Sequence, residues 1–167
     1  MIRTLRGMAL ALVFVGFSAS AQAQTPAQAP PPPPPYGPAI TYAQAEKAMT
    51  AAVAEARKNS WPVVIAILDS GGHLVMLHRL ENAQYGSIDI AKGKATTAVT
   101  FRRPSKAFED VVAGGGAGLR ILSAGVMALE GGIPILLDGK VIGAIGVSGV
   151  LSTQDAQVAR AGADALK

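Results

Sequence analysis

No cysteine occurs anywhere in this 167-residue chain. That excludes a disulfide framework, a thiolate metal site and a cysteine nucleophile. Histidine is scarce as well: His73 and His78 are the only two. No metal-ligand cluster and no nucleophile–base pair can be made out in the sequence. Nor is the N-terminal apolar run, Met8 to Phe17, long enough to span a bilayer, which takes about 20 residues.

The N-terminus does hold the layout of an export signal. Arg3 and Arg6 give a basic start, MALALVFVGF an apolar centre, and Ala21-Gln22-Ala23 a small-x-small cleavage site. Residues 1–23 are therefore expected to be a signal peptide, with Gln24 the new N-terminus and the mature protein periplasmic or secreted. The two arginines leave with it, so 13 basic residues face 11 acidic ones and the net charge falls from +4 to +2. Such a balance is not the clustered Lys/Arg face of a nucleic-acid-binding protein. Neither a nucleic-acid partner nor a membrane span is expected of the mature form.

Residues 24–38, QTPAQAPPPPPPYGP, carry eight of the 11 prolines and read as a linker. Pro30 to Pro35 should form polyproline II, a semi-rigid spacer of roughly 3.1 Å per residue. The domain is then expected over residues 39–167. Lacking disulfides, it must rely on its core, and a chain of that size can bury roughly two-thirds of its unfolded surface.

Thr41 and Gln44 have capping-box spacing at the start of a first helix. Ala45, Ala48, Met49, Ala52 and Ala56 give it a nearly all-alanine face. Asn59 and Pro62 bracket its end. Val63 to Leu68 is a continuous β-branched run, the mark of a strand buried on both faces. Asp69-Ser70-Gly71-Gly72 is a turn, and His73 to Arg79 the returning strand. Ser87 to Val99 reads as a helix, ended by Arg102-Arg103-Pro104 because the residue before proline is pushed out of the helical region. A short helix is expected over Pro104 to Val112, a mobile loop over Gly114 to Gly118, and a turn of helix followed by a short strand over residues 120–130. Ile133 to Leu137 and Lys140 to Val147 flank Asp138-Gly139, the type I′ hairpin signature. Gly143 and Gly146 inside the second strand imply close approach by a backbone or a ligand. Ser152 or Thr153 should cap the last helix, with Asp155 favouring its N-terminal end. Tight hairpins with helices between them imply an α+β fold on an antiparallel sheet.

Three features recede on inspection. Asp69 is explained by its turn. Gly114 to Gly118 lacks the Gly-Lys-Ser/Thr ending of a phosphate loop. Ser148, in Gly-Val-Ser-Gly, is not in a Gly-x-Ser-x-Gly nucleophile elbow.

The segments VVIAILDSGGHLV, HRLENAQYGSIDIAKGKATTA, FRRPS and GGIPILLDGKVIGAIGVSGVLSTQDAQVARAGADAL resemble, in order and spacing, the GlcG/HbpS-type haem-binding proteins, a family that also includes the C-terminal domain of PduO-type proteins. The resemblance covers nearly all of residues 41–166. It implies a profilin-like fold, an antiparallel sheet of about five strands flanked by helices. It also implies haem binding or corrinoid handling, with haem the favoured cofactor, and homo-oligomers. In two places the chain departs from the family. The segment His78 to Ala83 reads HRLENA where an Arg-Met-Asp-Gly-Ala pattern is more usual. The first helix also lacks the histidine that PduO-type domains can use as a haem ligand.

If haem is the ligand, histidine is its usual axial partner, which makes His73 and His78 the candidates for the metal. Their odd separation on a strand puts them on opposite faces, so they cannot both ligate one haem within one subunit. Lys94 and Thr97, three apart on a helix, share a face, and Arg102 and Arg103 follow just beyond. This set could hold the two propionates, with Phe101 against the macrocycle. The expected function is an exported, non-enzymatic haem- or tetrapyrrole-binding protein acting in storage, sensing or protection. The alternatives are a protein that binds a small carboxylated metabolite or assists an enzyme, and a purely structural assembly module.

Overall fold

The computed structural model describes residues 31–167. The signal peptide expected over residues 1–23 and the first part of the linker, residues 24–30, lie outside the described residues. Among the described residues no helix is long and apolar enough to cross a membrane.

Helix α1 (Tyr42–Lys58) opens with the box its sequence implies. The Thr41 hydroxyl accepts from the Gln44 N–H at 3.3 Å, and Gln44 Oε1 accepts from the Thr41 N–H at 2.9 Å. Its alanine face, Ala45, Ala48, Ala52 and Ala56 with Met49, is buried, and α1 packs chiefly on the last helix. Next come β1 (Val64–Asp69), β2 (Leu74–Arg79), α2 (Ser87–Phe101), α3 (Lys106–Ala113), β3 (Gly132–Leu137), β4 (Lys140–Ser148) and α4 (Ser152–Asp164). The sheet order is β2-β1-β4-β3, antiparallel throughout.

Side-chain alternation divides the core in two. Ile65, Ile67, Ile145 and Val147 meet α1 and α4 on one face of the sheet. Val64, Ala66 and Leu68 meet α2 on the other, against Ala91, Ala95 and Ala98. β1 is thus buried on both faces, as its apolar run requires.

The expected α+β fold holds, with four strands in place of about five. No strand forms within residues 120–130: a 3₁₀ segment, Gly116–Ala124, takes the place of the expected turn of helix, and a loop runs from it into β3. Gly115, Gly116 and Gly125 have φ of 66°, 55° and 70°, a left-handed conformation that extended chain cannot accommodate. The hairpin tip behaves as read: Asp138 and Gly139 both take positive φ, 49° and 72°. What approaches Gly146 is backbone, since a Cβ there would stand 2.1 Å from the Ala91 carbonyl oxygen.

Two expectations need correction. α4 is capped by neither Ser152 nor Thr153, which lie inside the helix. Gln154 accepts from the Leu151 N–H (3.2 Å) and Asp155 from the Val150 N–H (3.2 Å). The end of the proline-rich stretch is also not a free spacer. Val141 donates to the Pro35 carbonyl (2.9 Å) and Gly37 to the Val141 carbonyl (2.8 Å), while the Tyr36 hydroxyl lies 2.9 Å from the Val99 and Thr100 carbonyls. Residues 35–37 are thus docked on the folded unit.

Candidate functional site

β2 is an edge strand, and its register decides what it presents. His78 pairs with Ile65 and Met76 with Ile67. Cross-strand partners point to the same face, so both side chains face the α1 layer. α1 meets them with a second stripe beside its alanine face: Tyr42, Glu46, Met49, Val53 and Arg57 recur at helical spacing. Because α1 is drawn towards α4, an open groove of about 430 Å³ remains between this stripe and β2, with Met76 and His78 on the far wall. It joins apolar thioether and aliphatic walls to one imidazole, one guanidinium and one carboxylate.

His73 is elsewhere. It precedes β2 at the hairpin tip, with its side chain 82% exposed and its Nδ1 3.4 Å from Asp69 Oδ1. The two histidines do not share a site; since β2 starts at Leu74, His73 lies before the strand and the alternation expected from their odd spacing does not apply to it. Asp69 Oδ1 also accepts from the Gly71 N–H (2.8 Å) and the His73 N–H (2.9 Å). Partial burial works to raise its pKa, but these two N–H donors and the neighbouring imidazole together hold it below the usual carboxylate value. The carboxylate is spent on the turn.

Lys94, Thr97, Arg102 and Arg103 do not form the single basic cluster that their spacing suggested. α2 turns Lys94 and Thr97 inward. Lys94 Nζ lies 2.8 Å from Asp155 Oδ2, and Thr97 Oγ1 accepts from the Met127 N–H at 2.8 Å. Both residues are buried, so neither presents a solvated face. Arg102 leaves the helix in a left-handed conformation, φ 53°, where its guanidinium lies over the Tyr36 ring at 5.1 Å and donates to the Pro34 carbonyl at 3.3 Å. Arg103 reaches over Phe108 at 5.8 Å. Phe101 packs on that same Phe108 ring, centroids 4.9 Å apart.

Sequence reading missed the groove stripe and the Asp155 partnership. The stripe was detectable, as a second set of helical spacings next to the alanine face. The 61-residue separation of Lys94 and Asp155 left no local signal. In the RLENA segment Asn82 takes φ 62°, the conformation a glycine there would favour, and asparagine tolerates it. The loop therefore keeps a glycine-like turn.

A groove of this volume between a sheet edge and a helix falls within the range of small-molecule sites, about 300–1,000 Å³, and the fold around it is a small α+β domain on one antiparallel sheet. The chain belongs to the HbpS-like family: the family model described as "Haem degrading protein HbpS-like" matches residues 40–164. It is 40% identical over 109 residues to Protein GlcG of Escherichia coli (strain K12), covering 65% of this chain and 81% of that one. Among solved structures it is similar to the PduOC:Heme complex, with TM-score 0.70 and 32% identity over 77% of this chain and 96% of the other. HbpS gives the same TM-score and identity, 0.70 and 32%, over 78% and 92% of the two chains. The GlcG/HbpS resemblance read from the residues thus holds.

Proposed function

We propose that this is an exported haem- or tetrapyrrole-binding protein that acts non-enzymatically, in haem storage, sensing or protection. The observation that carries the reading is the His78 groove in a chain whose relative PduOC is solved with heme. The residues present suit such a group. His78 offers the usual axial ligand, Met49, Val53 and Met76 offer apolar walls, and Arg57 offers a guanidinium for a propionate. Bound haem would supply the iron and its redox chemistry. The protein's own part is to ligate through His78, orient through Arg57 and exclude water with the apolar walls. His73, exposed at the hairpin tip, is available to a ligand held between subunits.

Binding rather than catalysis is supported by how the candidate nucleophile is used. The Ser148 hydroxyl meets the Ser87 hydroxyl at 3.2 Å in the interior, with no base between them. Self-assembly is supported by apolar side chains left in solvent on and around the 3₁₀ segment: Val111, Leu119, Leu122 and Leu129. Export is supported by the three-part N-terminal signal.

Hemin titration of the purified mature protein tests the function. The expected result is a saturable, shifted Soret band that His78→Ala weakens or moves; an unshifted band rules the reading out. Corrinoid is the second ligand to titrate. Light scattering should show an oligomer, and only monomer would count against assembly. The mass of the protein recovered after expression with its leader should correspond to a start at Gln24.

A further inference from the structure

A second groove lies away from His78, where the end of α4, the β3 edge and the docked proline tail meet. It encloses about 200 Å³, and its lining includes Arg102, Arg160 and Lys167 together with Ile133, Leu136 and Ala163. We infer that this groove is a binding site for a small amphipathic carboxylic acid, the carboxylate held by Arg102 and Arg160 and the hydrocarbon laid along β3.

The charges are set for an anion. Three cationic side chains border the groove against a single carboxylate side chain, Asp164, which is already paired with Lys167 at 2.6 Å. The Arg160 side chain, on α4, makes no ion pair or hydrogen bond among the described residues. Arg102 is held in place. It occupies the left-handed position at the end of α2 where glycine is the usual residue. The Tyr36 ring lies under its guanidinium, and the Pro34 carbonyl takes one of its donors. A guanidinium fixed along one edge keeps its other N–H groups for a planar carboxylate.

The walls set the rest of the ligand. Ile133, Leu136 and Ala163 with Pro34 and Pro104 offer hydrocarbon surface, which a fully polar anion such as phosphate would leave unused. A neighbouring depression of about 170 Å³ shares Pro104, Ile133 and Arg160, giving an aliphatic chain room to continue. The volume is smaller than that of the His78 groove, so the ligand is smaller than a tetrapyrrole. The site therefore stands whether or not haem binds at His78.

Hexanoate is a suitable probe and hexanamide its neutral control, titrated into the mature protein by calorimetry with backbone-amide NMR. The expected result is saturable hexanoate binding with shifts at Ile133, Leu136 and Ala163. It should weaken about tenfold or more in Arg160→Gln, whose hemin titration stays unchanged. Arg160 is exposed, and a melting curve on the variant checks that its fold is intact. Absent binding, equal affinity for hexanamide, an unaffected Arg160→Gln, or shifts centred on Met76 and His78 would each overturn the site. So would displacement of bound hemin by hexanoate, which would make these cations a propionate subsite of the haem site. Hexanoate binding in a protein that ignores hemin would remove the haem reading and leave this one standing.

Discussion

The Lys94 ammonium on α2 and the Asp155 carboxylate on α4 lie 2.8 Å apart, with both side chains only 2% exposed. Asp155 uses its other oxygen to accept from the Val150 N–H at 3.2 Å. One carboxylate therefore ties the chain entering α4 to the helix on the opposite face of the sheet. Burial pushes Asp155 above the usual carboxylate value, against the opposing hydrogen bond and charge of Lys94. The loop entering β3 is shaped around the pair: a Cβ at Gly131 would come 2.9 Å from Lys94 Nζ.

Breaking such a pair from one side leaves a charge stranded in the interior, at a cost of about 3–5 kcal/mol. Lys94→Met should lose that much stability in urea. The double variant Lys94→Met with Asp155→Leu should recover a good part of it, because no unpaired charge remains. If the double variant were less stable than Lys94→Met alone, the Val150 N–H contact and the packing of Asp155, rather than the charge pair, would carry the effect.

Asp69 bears on the acid limb of stability. Its folded pKa lies below the ordinary 3.8, so the ionised form is favoured in the native state. Its contribution is fully present above 3.8 and is lost as pH falls through the lower, folded value. Asp69→Ala removes the acceptor for two turn N–H groups and should cost about 1 kcal/mol at neutral pH. The gap between parent and variant should close in strong acid, measured by urea unfolding across pH. A gap independent of pH would place the effect in the turn geometry alone.

How far the sequence carried the fold can be judged residue by residue. The first-helix box, the Asp-Gly turn and the doubly buried β1 were legible because each depends on neighbours within a few positions. The 3₁₀ segment was not, since Leu119, Ile121 and Leu122 give an apolar signal that the flanking glycines convert into a non-regular turn. The site was half legible. His78 stood out by scarcity, whereas its groove depends on α1 lying beside β2, a contact between segments distant in sequence. Helical spacing places Lys94 and Thr97 on one face but does not show whether that face looks inward.

Glycine substitutions separate close approach from mere flexibility. Gly146→Ala would drive a methyl to 2.1 Å from the Ala91 carbonyl and 2.6 Å from the Ala95 nitrogen. α2 would have to lift off the sheet, so a loss at or beyond the usual overpacking range of about 1–3 kcal/mol is expected. Gly86 precedes α2 with φ −59° and ψ −24°, and no atom lies within 4 Å of a Cβ placed there. Gly86→Ala should be neutral or stabilising by up to about 1 kcal/mol, through a less flexible unfolded chain. Thermal melts of the two variants would decide it, and equal losses would contradict the packing account.

The division between scaffold and site can be tested by crossing two variants with two readouts. Thr97→Val keeps the side-chain shape but removes the oxygen that accepts from the Met127 N–H. This contact is part-buried, and an N–H left there without its partner costs up to about 1–3 kcal/mol, so the urea midpoint should fall. Thr97 lies on the α2 side of the sheet, away from the α1 groove, so the hemin titration should be unchanged. His78→Ala should do the opposite. His78 is on an edge strand and its side chain makes no hydrogen bond among the described residues, so stability should move little while the Soret band shifts or weakens. If Thr97→Val instead altered the hemin spectrum at unchanged stability, the ligand would have to sit against α2, and the His78 groove would lose its assignment.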